Sequence, residues 1–202
     1  MKNILLINSS INGDKGQSVQ LAQQFLAQLP EGSFKLDTLD LNTDPVGHLE
    51  MAEIAAWMTP SEQRSSEQQQ LAAISDSLIE RIKAADVILL GAPMYNFGVP
   101  SQLKALLDRV ARAGVTFKYT EQGPVGLLED KPVVVFATRG GVYQGTALDS
   151  QTPFLHTFLN FVGLKDVHFI YAEGLNMGPD AQETALSAAK ARLAELSAKI
   201  AA

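Results

Sequence analysis

Short apolar segments alternate along this chain with segments that carry apolar residues at helical spacing. Three of the apolar segments, residues 4–7, 87–90 and 133–137, are apolar at every position, which is typical of parallel strands covered by helices on both faces. Val167–Ala172 is a fourth apolar segment. Residues 34–41 form a weaker one whose alternation changes phase after Leu36, which favours an edge strand.

Helical patterns lie between these strands. Such alternation predicts an α/β fold, a doubly wound five-stranded parallel sheet with helices on both faces and right-handed crossovers. Thr59 and Glu62, with Pro60 between them, fit a capping box and predict the start of the second helix. The apolar stripes are Val19, Ala22, Leu26 and Leu29; Leu71, Ile74, Leu78 and Ile82; Leu103, Leu106, Leu107 and Val110; and Leu186, Ala189, Leu193, Leu196 and Ile200.

The length and composition favour one globular domain over residues 1–202. The 202 residues are 46% hydrophobic and 19% charged, and no repeat or low-complexity segment divides them. Residues 42–60 are mixed in composition and loop-like, and residues 122–131 carry Gly and Pro. Neither segment resembles a flexible linker between domains.

Several classes of function are excluded by simple counts. The net charge of −6 and the lack of a basic run argue against a nucleic-acid partner. Without cysteine there is no disulfide, zinc-thiolate site, iron–sulfur cluster or thiol nucleophile, and the three histidines lack metal-ligand spacing, so no metal site is expected. The apolar N-terminal segment is too short for a signal peptide or membrane span, which favours a cytoplasmic protein without a membrane partner.

Ligands of such sheets bind beyond the carboxyl ends of the strands, so the loops that follow the strands are the candidate site. The first loop, residues 8–18, offers hydroxyls, glycines and backbone N–H groups at the start of a helix, which favours a phosphomonoester. It matches neither the Walker loop nor the Gly-x-Gly-x-x-Gly pattern. The alternative is an ordinary polar turn with Ser18 as the helix N-cap.

The second loop, residues 91–100, has two prolines and two glycines that fix a rigid backbone. Tyr95 and Phe97 can pack on a flat ring, and Asn96 can pair with the edge of a heterocycle. The alternative is a loop whose aromatic side chains only cover the sheet edge.

In the third loop, residues 138–143, the N–H groups of Gly140 and Gly141 would suit an electron-rich carbonyl or a ring anion, although paired glycines also occur in plain turns. Together the three loops fit flavin mononucleotide (FMN), with its phosphate at the first loop and its ring between the other two.

Five segments resemble the bacterial FMN-dependent NADH:azoreductases, which belong with the flavodoxin-like quinone reductases. The similarity runs from end to end of the chain. The segments are Ala-Pro-Met-Tyr-Asn-Phe at 92–97, Pro-Ser-Gln-Leu-Lys at 100–104, Arg-Ala-Gly-Val-Thr-Phe at 112–117, Thr-Arg-Gly-Gly at 138–141 and Ala-Glu-Gly at 172–174.

The resemblance implies a flavodoxin-like sheet, a homodimer and one flavin site per subunit near the dimer interface. It assigns the phosphate to Ser10, Gln17 and Ser18; the flavin to Met94, Tyr95, Asn96, Phe97, Thr138, Arg139, Gly140 and Gly141; and the substrate cleft to Tyr119 and Phe161. Two positions depart from the family pattern. Gly16 stands where serine is frequent, so one phosphate contact must come from backbone N–H alone, and Tyr143 stands where some members have histidine.

The activity that the resemblance implies needs no catalytic side chain, because the flavin carries the chemistry. The expected cycle is ping-pong: NADH or NADPH reduces FMN and leaves, and a quinone or an aromatic azo compound is then reduced in the same place. A one-electron carrier of the flavodoxin type is the alternative, but the extra chain that includes Tyr119 favours an enzyme. A third possibility is a flavin-free interaction module.

Overall fold

The computed structural model describes residues 1–201 as alternating strands and helices. The apolar segments of the sequence form the strands, so this prediction is confirmed. The strands are β1 (Lys2–Asn8), β2 (Phe34–Asp40), β3 (Val87–Pro93), β4 (Phe117–Thr120), β5 (Gly123–Gly126), β6 (Val133–Thr138) and β7 (Val167–Ala172). The helices are α1 (Gln17–Leu26), α2 (Met51–Met58), α3 (Ser66–Ala84), α4 (Ser101–Val110), α5 (Gln151–Val162) and α6 (Pro179–Ala201).

Five parallel strands form the main sheet in the order β2-β1-β3-β6-β7, which confirms the doubly wound flavodoxin-like fold. From β1 the chain passes to β2 on one side and then returns to β3 on the other. The crossovers therefore diverge between β1 and β3, where their carboxyl ends leave a crevice in which ligands of this topology bind.

Each face of the sheet has its own apolar core. Helices α1 and α6 cover one face, where Phe25 meets Phe136 edge-on with ring centroids 6.0 Å apart. Helices α3, α4 and α5 cover the other, where Leu103 and Leu155 pack with the β3 residue Leu90. Burial on both faces explains why the strands are apolar at consecutive positions.

The start of the second predicted helix was placed too early. Residues Ser61–Gln63 form only a short 3₁₀ turn, and α3 begins at Ser66 behind a capping box made by Ser65 and Gln68. Both Ser-x-x-Gln and Thr-x-x-Glu satisfy the capping-box pattern, and the sequence does not rank them. Ile74, which was predicted to lie on the buried stripe, is 40% exposed, because the buried face of α3 is rotated toward Ala72 and Ser75.

Regular structure is present both in the segment interpreted as a loop and in the segment that carries Gly and Pro. Within residues 42–60 lies α2, whose Glu53 forms an ion pair with Arg109 of α4 at 2.7 Å, with both side chains 4% exposed. Within residues 122–131 lies β5, which pairs with β4 as an antiparallel hairpin. These elements depend on contacts with distant parts of the chain, so local periodicity did not reveal them.

Candidate functional site

The loops that follow β1, β3 and β6 lie together at the carboxyl edge of the sheet, as predicted. The Ser10 hydroxyl lies 3.3 Å from the Tyr95 hydroxyl, which joins the first loop to the second. The second loop is joined to the third by the Met94 N–H, which donates to the Thr138 carbonyl at 2.9 Å. The rings of Phe97 and Tyr143 also meet edge-on with centroids 5.5 Å apart.

Helix α1 begins with backbone donors that the described part of the chain does not use. Its N-cap is Gly16 rather than Ser18, and no side chain caps it. The N–H groups of Gln17, Ser18 and Val19 have no acceptor among residues 1–201. The Ser18 hydroxyl is fully buried and also lacks a partner within these residues. Such an arrangement fits an anion, because the N-terminal N–H groups and the helix dipole both favour negative charge.

The glycine at position 16 has a steric cause. A Cβ atom at Gly16 would lie 2.2 Å from the Ser10 Oγ and 2.8 Å from the Ser10 Cβ. The space that a serine side chain would need in this chain is thus filled by Ser10. This supports the expectation that residue 16 can offer a ligand only its backbone.

The second loop contains a strained turn at the cleft. Asn96 and Phe97 have φ values of 50° and 66°, a left-handed conformation that asparagine tolerates but that is unfavourable for a bulky residue such as phenylalanine. Tyr95 and Gly98 enclose the turn by exchanging backbone hydrogen bonds of 3.0 Å in both directions. Both residues at its tip are exposed. Strain of this kind persists where the surrounding structure imposes it, and it is frequent at ligand sites.

The third loop is bound through its carbonyls to the loop after β7. The carbonyls of Arg139, Gly140 and Gly141 accept hydrogen bonds from the loop after β7, at residues 174–176. In a trans peptide the N–H points opposite to the preceding carbonyl, so the next N–H groups point away from β7. Gly140, Gly141 and Val142 donate to no acceptor within residues 1–201.

The paired glycines also make room for two side chains of the protein itself. A Cβ atom at Gly140 would lie 2.5 Å from the amide nitrogen of Asn176, and one at Gly141 would lie 2.6 Å from the Tyr143 hydroxyl. Tyr143 therefore lies across Gly141 while its ring contacts Phe97. Its phenol is placed at the rim of the predicted ring site.

The Arg139 side chain is directed into the protein rather than toward a ligand. Its guanidinium is 0% exposed and pairs with Asp149 at 2.9 Å and Glu173 at 3.0 Å. It also donates to Gln151 and Thr152 and lies over the ring of Tyr171. In this structure the part of Arg139 nearest to the site is its backbone.

The ionisation of Asp149 makes this network sensitive to acid. Burial opposes ionisation, but hydrogen bonds from Thr152 and Arg139 outweigh it and hold the pKa of Asp149 below its usual value of 3.8. The ionised carboxyl therefore stabilises the fold above that pH and loses this contribution as the pH falls below it.

We expect urea denaturation to show a steeper loss of stability from about pH 5 to 3 in the parent protein than in an Asp149→Asn variant. If the free energy of unfolding falls equally with pH in the parent and in Asp149→Asn, the Asp149 carboxylate does not stabilise the fold in this way.

A cleft of about 960 Å³ opens beside the turn at residues 95–98. The glycine pair of the third loop and the start of α1 lie outside its walls, so the predicted ligand site is wider than this cleft. Sequence reasoning missed most of the lining, because these side chains come together only through the packing of α4, α5 and the β2–α2 connection. Residues of the lining include Ile11, His48, Tyr95, Asn96, Lys104 and Phe154.

Tyr119 and Phe161 do not lie in the cleft of their own chain. Both contact Phe117, with ring centroids 5.3 and 4.2 Å away, and Tyr119 is 76% exposed. Phe161 is near the end of α5, whose first residue, Gln151, lines the cleft. Ten residues of helix place Phe161 about 15 Å farther along α5, toward the opposite edge of the sheet.

Comparisons with known proteins agree over nearly the whole chain. A family described as having a flavodoxin-like fold matches residues 2–196. An FMN-dependent NADH:quinone oxidoreductase from Alteromonas mediterranea is 51% identical over 197 residues, 97% of this chain and 98% of that protein. One from Cellvibrio japonicus is 55% identical over 182 residues, 88% of this chain and 90% of that protein.

Solved structures give the same result. An FMN-dependent NADH-azoreductase from Bacillus anthracis, in complex with FMN, is 25% identical, with 100% of both chains covered and a TM-score of 0.88. Another azoreductase structure from Bacillus anthracis is 26% identical, covers 98% of this chain and 100% of that chain, and also has a TM-score of 0.88. No helix within residues 1–201 has the length and apolarity to cross a membrane.

Proposed function

This chain belongs to the flavodoxin-like family that includes the FMN-dependent NADH:quinone oxidoreductases, and we propose that it transfers electrons from NADH through FMN to quinones and aromatic azo compounds. We further propose that residues 1–202 act as a single domain, that the cycle is ping-pong and that the protein is cytoplasmic. The names of the relatives support the donor, the cofactor and the two acceptor classes.

One observation carries the proposal: unused donors lie at two places on the same edge of the sheet. At α1, three N–H groups and the Ser18 hydroxyl fit a terminal phosphate. Beyond β6, the N–H groups of Gly140 and Gly141 have no acceptor within residues 1–201, and Tyr143 of the same loop contacts Phe97 of the strained turn. These are the separate needs of a phosphate group and of a polar ring edge, which FMN combines.

The protein side of the mechanism is binding and orientation. FMN, when bound, would supply the hydride and electron transfer chemistry between NADH and the acceptor. Gln17, Ser18 and Val19 would hold the phosphate through their N–H groups. Asn96 would pair with one polar edge of the ring, and the N–H groups of Gly140 and Gly141 would stabilise negative charge at the other.

An absorption spectrum of the purified protein tests this function. We expect a bound flavin that NADH bleaches anaerobically and that a soluble quinone restores without a protein partner. A protein that is colourless and does not bind added FMN would overturn the proposal and favour the interaction module. Bleaching without reoxidation by any quinone or azo dye would favour the electron carrier.

Steady-state kinetics test the ping-pong order. Parallel double-reciprocal plots with NADH and quinone would support it, and intersecting plots would exclude it.

We also propose a homodimer in which the partner copy completes the substrate cleft. The support is the position of Tyr119 and Phe161, which are distant from the cleft of their own chain. Tyr119 is exposed on the β4–β5 hairpin, as expected of a side chain that a second copy covers. Light scattering should give twice the mass of the chain, and a monomer with full activity would contradict this arrangement.

Replacing Ser18 by alanine should separate binding from stability. The variant loses a phosphate contact, so we expect FMN affinity to fall about tenfold, equivalent to about 1.4 kcal/mol. Without FMN the same change removes a buried hydroxyl that has no partner among residues 1–201, so the apoprotein should be unchanged or about 1 kcal/mol more stable. Flavin fluorescence titration and urea denaturation measure the two effects. Unchanged affinity, or a large loss of apoprotein stability, would contradict the assignment of Ser18.

A further inference from the structure

We propose that Glu173 is a positioning residue for the ring end of this site. Its carboxylate fixes the third loop so that the N–H groups of Gly140, Gly141 and Val142 face the flavin ring. The inference rests on the proposed function, because it assigns these N–H groups to the ring of FMN. It gives a role to a side chain outside the set of predicted site residues.

One carboxylate oxygen of Glu173 accepts hydrogen bonds from three donors. Its Oε1 atom accepts from the backbone N–H groups of Tyr143 and Gln144, each at 2.9 Å, and from the Arg139 guanidinium at 3.0 Å. Glu173 directly follows β7, and Arg139 directly follows β6. The carboxylate therefore ties the far end of the third loop to the ends of two adjacent strands.

The loop is thereby held at both ends. Upstream, the carbonyls of residues 139–141 are bonded to the N–H groups of residues 174–176 at 2.9 to 3.1 Å. Downstream, Glu173 takes the next two N–H groups after Val142. The three N–H groups between these anchors are the ones that have no acceptor in residues 1–201. A change at Glu173 releases the downstream anchor and one ion pair of Arg139, and it leaves the upstream backbone hydrogen bonds in place.

The charges around Arg139 provide a matched control. This guanidinium pairs with two carboxylates, those of Glu173 and Asp149, whose side chains are 11% and 6% exposed. Removal of either acid leaves Arg139 paired with the other, so no charge is left alone in the interior. Asp149 accepts from Thr152 at the start of α5 and makes no contact with the N–H groups of the third loop.

The experiment compares Glu173→Ala, Glu173→Gln and Asp149→Ala with the parent chain. Hydrogen–deuterium exchange on the apoproteins reports the order of residues 140–144 without any cofactor. Titration of flavin fluorescence then gives FMN affinity, and thermal unfolding gives apoprotein stability.

For Glu173→Ala we expect faster exchange in residues 140–144 and FMN affinity about 30-fold weaker. Glu173→Gln should recover most of this affinity, because its amide oxygen still accepts the two N–H groups. Asp149→Ala should lose comparable thermal stability but keep FMN affinity within about threefold and leave exchange of the loop unchanged.

Two results would overturn the inference. Glu173→Ala with parental exchange and parental FMN affinity would show that the carboxylate does not order the loop. Equal losses of affinity in Glu173→Ala and Asp149→Ala would show a general effect of stability. If instead the parent apoprotein binds no FMN, the proposed function itself fails. The rate of hydrogen–deuterium exchange in residues 140–144 of Glu173→Ala, compared with the parent, still reports whether Glu173 orders the loop.

Discussion

A Gly16→Val variant is expected to lose FMN affinity by about 100-fold or more, equivalent to about 2.7 kcal/mol. The added Cβ atom would lie 2.2 Å from the Ser10 Oγ and 3.2 Å from the Gly13 carbonyl. Ser10 is buried, and its hydroxyl accepts from the Asn12 N–H at 3.2 Å, so it is not free to move aside. The start of α1 must shift instead, and with it the N–H groups assigned to the phosphate.

Three further variants define this effect. Gly47→Ala places a Cβ atom where no other atom lies within 4 Å, so FMN affinity should not change. Combining Gly16→Ala with Ser10→Gly removes the steric conflict but also the Ser10 hydroxyl that the resemblance assigns to the phosphate, so the double variant should bind FMN more tightly than Gly16→Ala and less tightly than the parent. Fluorescence titration measures all four proteins. If Gly16→Val retains parental affinity, the phosphate does not bind at the start of α1.

Replacing Gly126 by alanine is expected to destabilise the protein by about 3 kcal/mol or more. Its Cβ atom would lie 2.2 Å from the Gly163 nitrogen and 2.5 Å from the Val162 carbonyl carbon. These are backbone atoms at the end of α5, which no change of rotamer can move. The hairpin β4–β5 would have to separate from α5, which would move Tyr119 and weaken the contacts around Phe117.

Urea denaturation of the apoprotein measures this loss. Gly47→Ala is again the control, since it makes the same substitution in open space. Under the dimer proposal, Gly126→Ala should also lower turnover of large azo acceptors more than it lowers FMN affinity. A stability within about 0.5 kcal/mol of the parent would show that the hairpin does not pack on α5 as described.

Local sequence patterns were sufficient for the sheet because burial on both faces leaves a direct signature. A segment such as Val133–Thr138 is apolar at nearly every position, and few structures other than a central strand use such a short apolar segment. Patterns with several equivalent matches were less informative. Thr59 and Ser65 both begin plausible capping boxes, and only the packing of α2 against α3 decides between them.

For the candidate site, too, the sequence predicted some features and not others. The sequence placed three loops at one edge of the sheet, because parallel strands share an edge for their carboxyl ends. It did not indicate that the Arg139 side chain is directed inward, nor that Glu173 holds the loop beside it, since these contacts join residues 10 to 34 positions apart. The sequence also did not predict that His48 and Phe154 line the cleft.

The order of apolar and helical segments by itself determined the fold class and the edge of the sheet where ligands bind, because both follow from which backbone segments must be buried. Only the tertiary structure decided which donors remain unused, which way each side chain faces, and that Tyr119 and Phe161 lie far from the cleft of their own chain. Those properties depend on distances between residues remote in sequence, and periodicity along the chain carries no record of such distances.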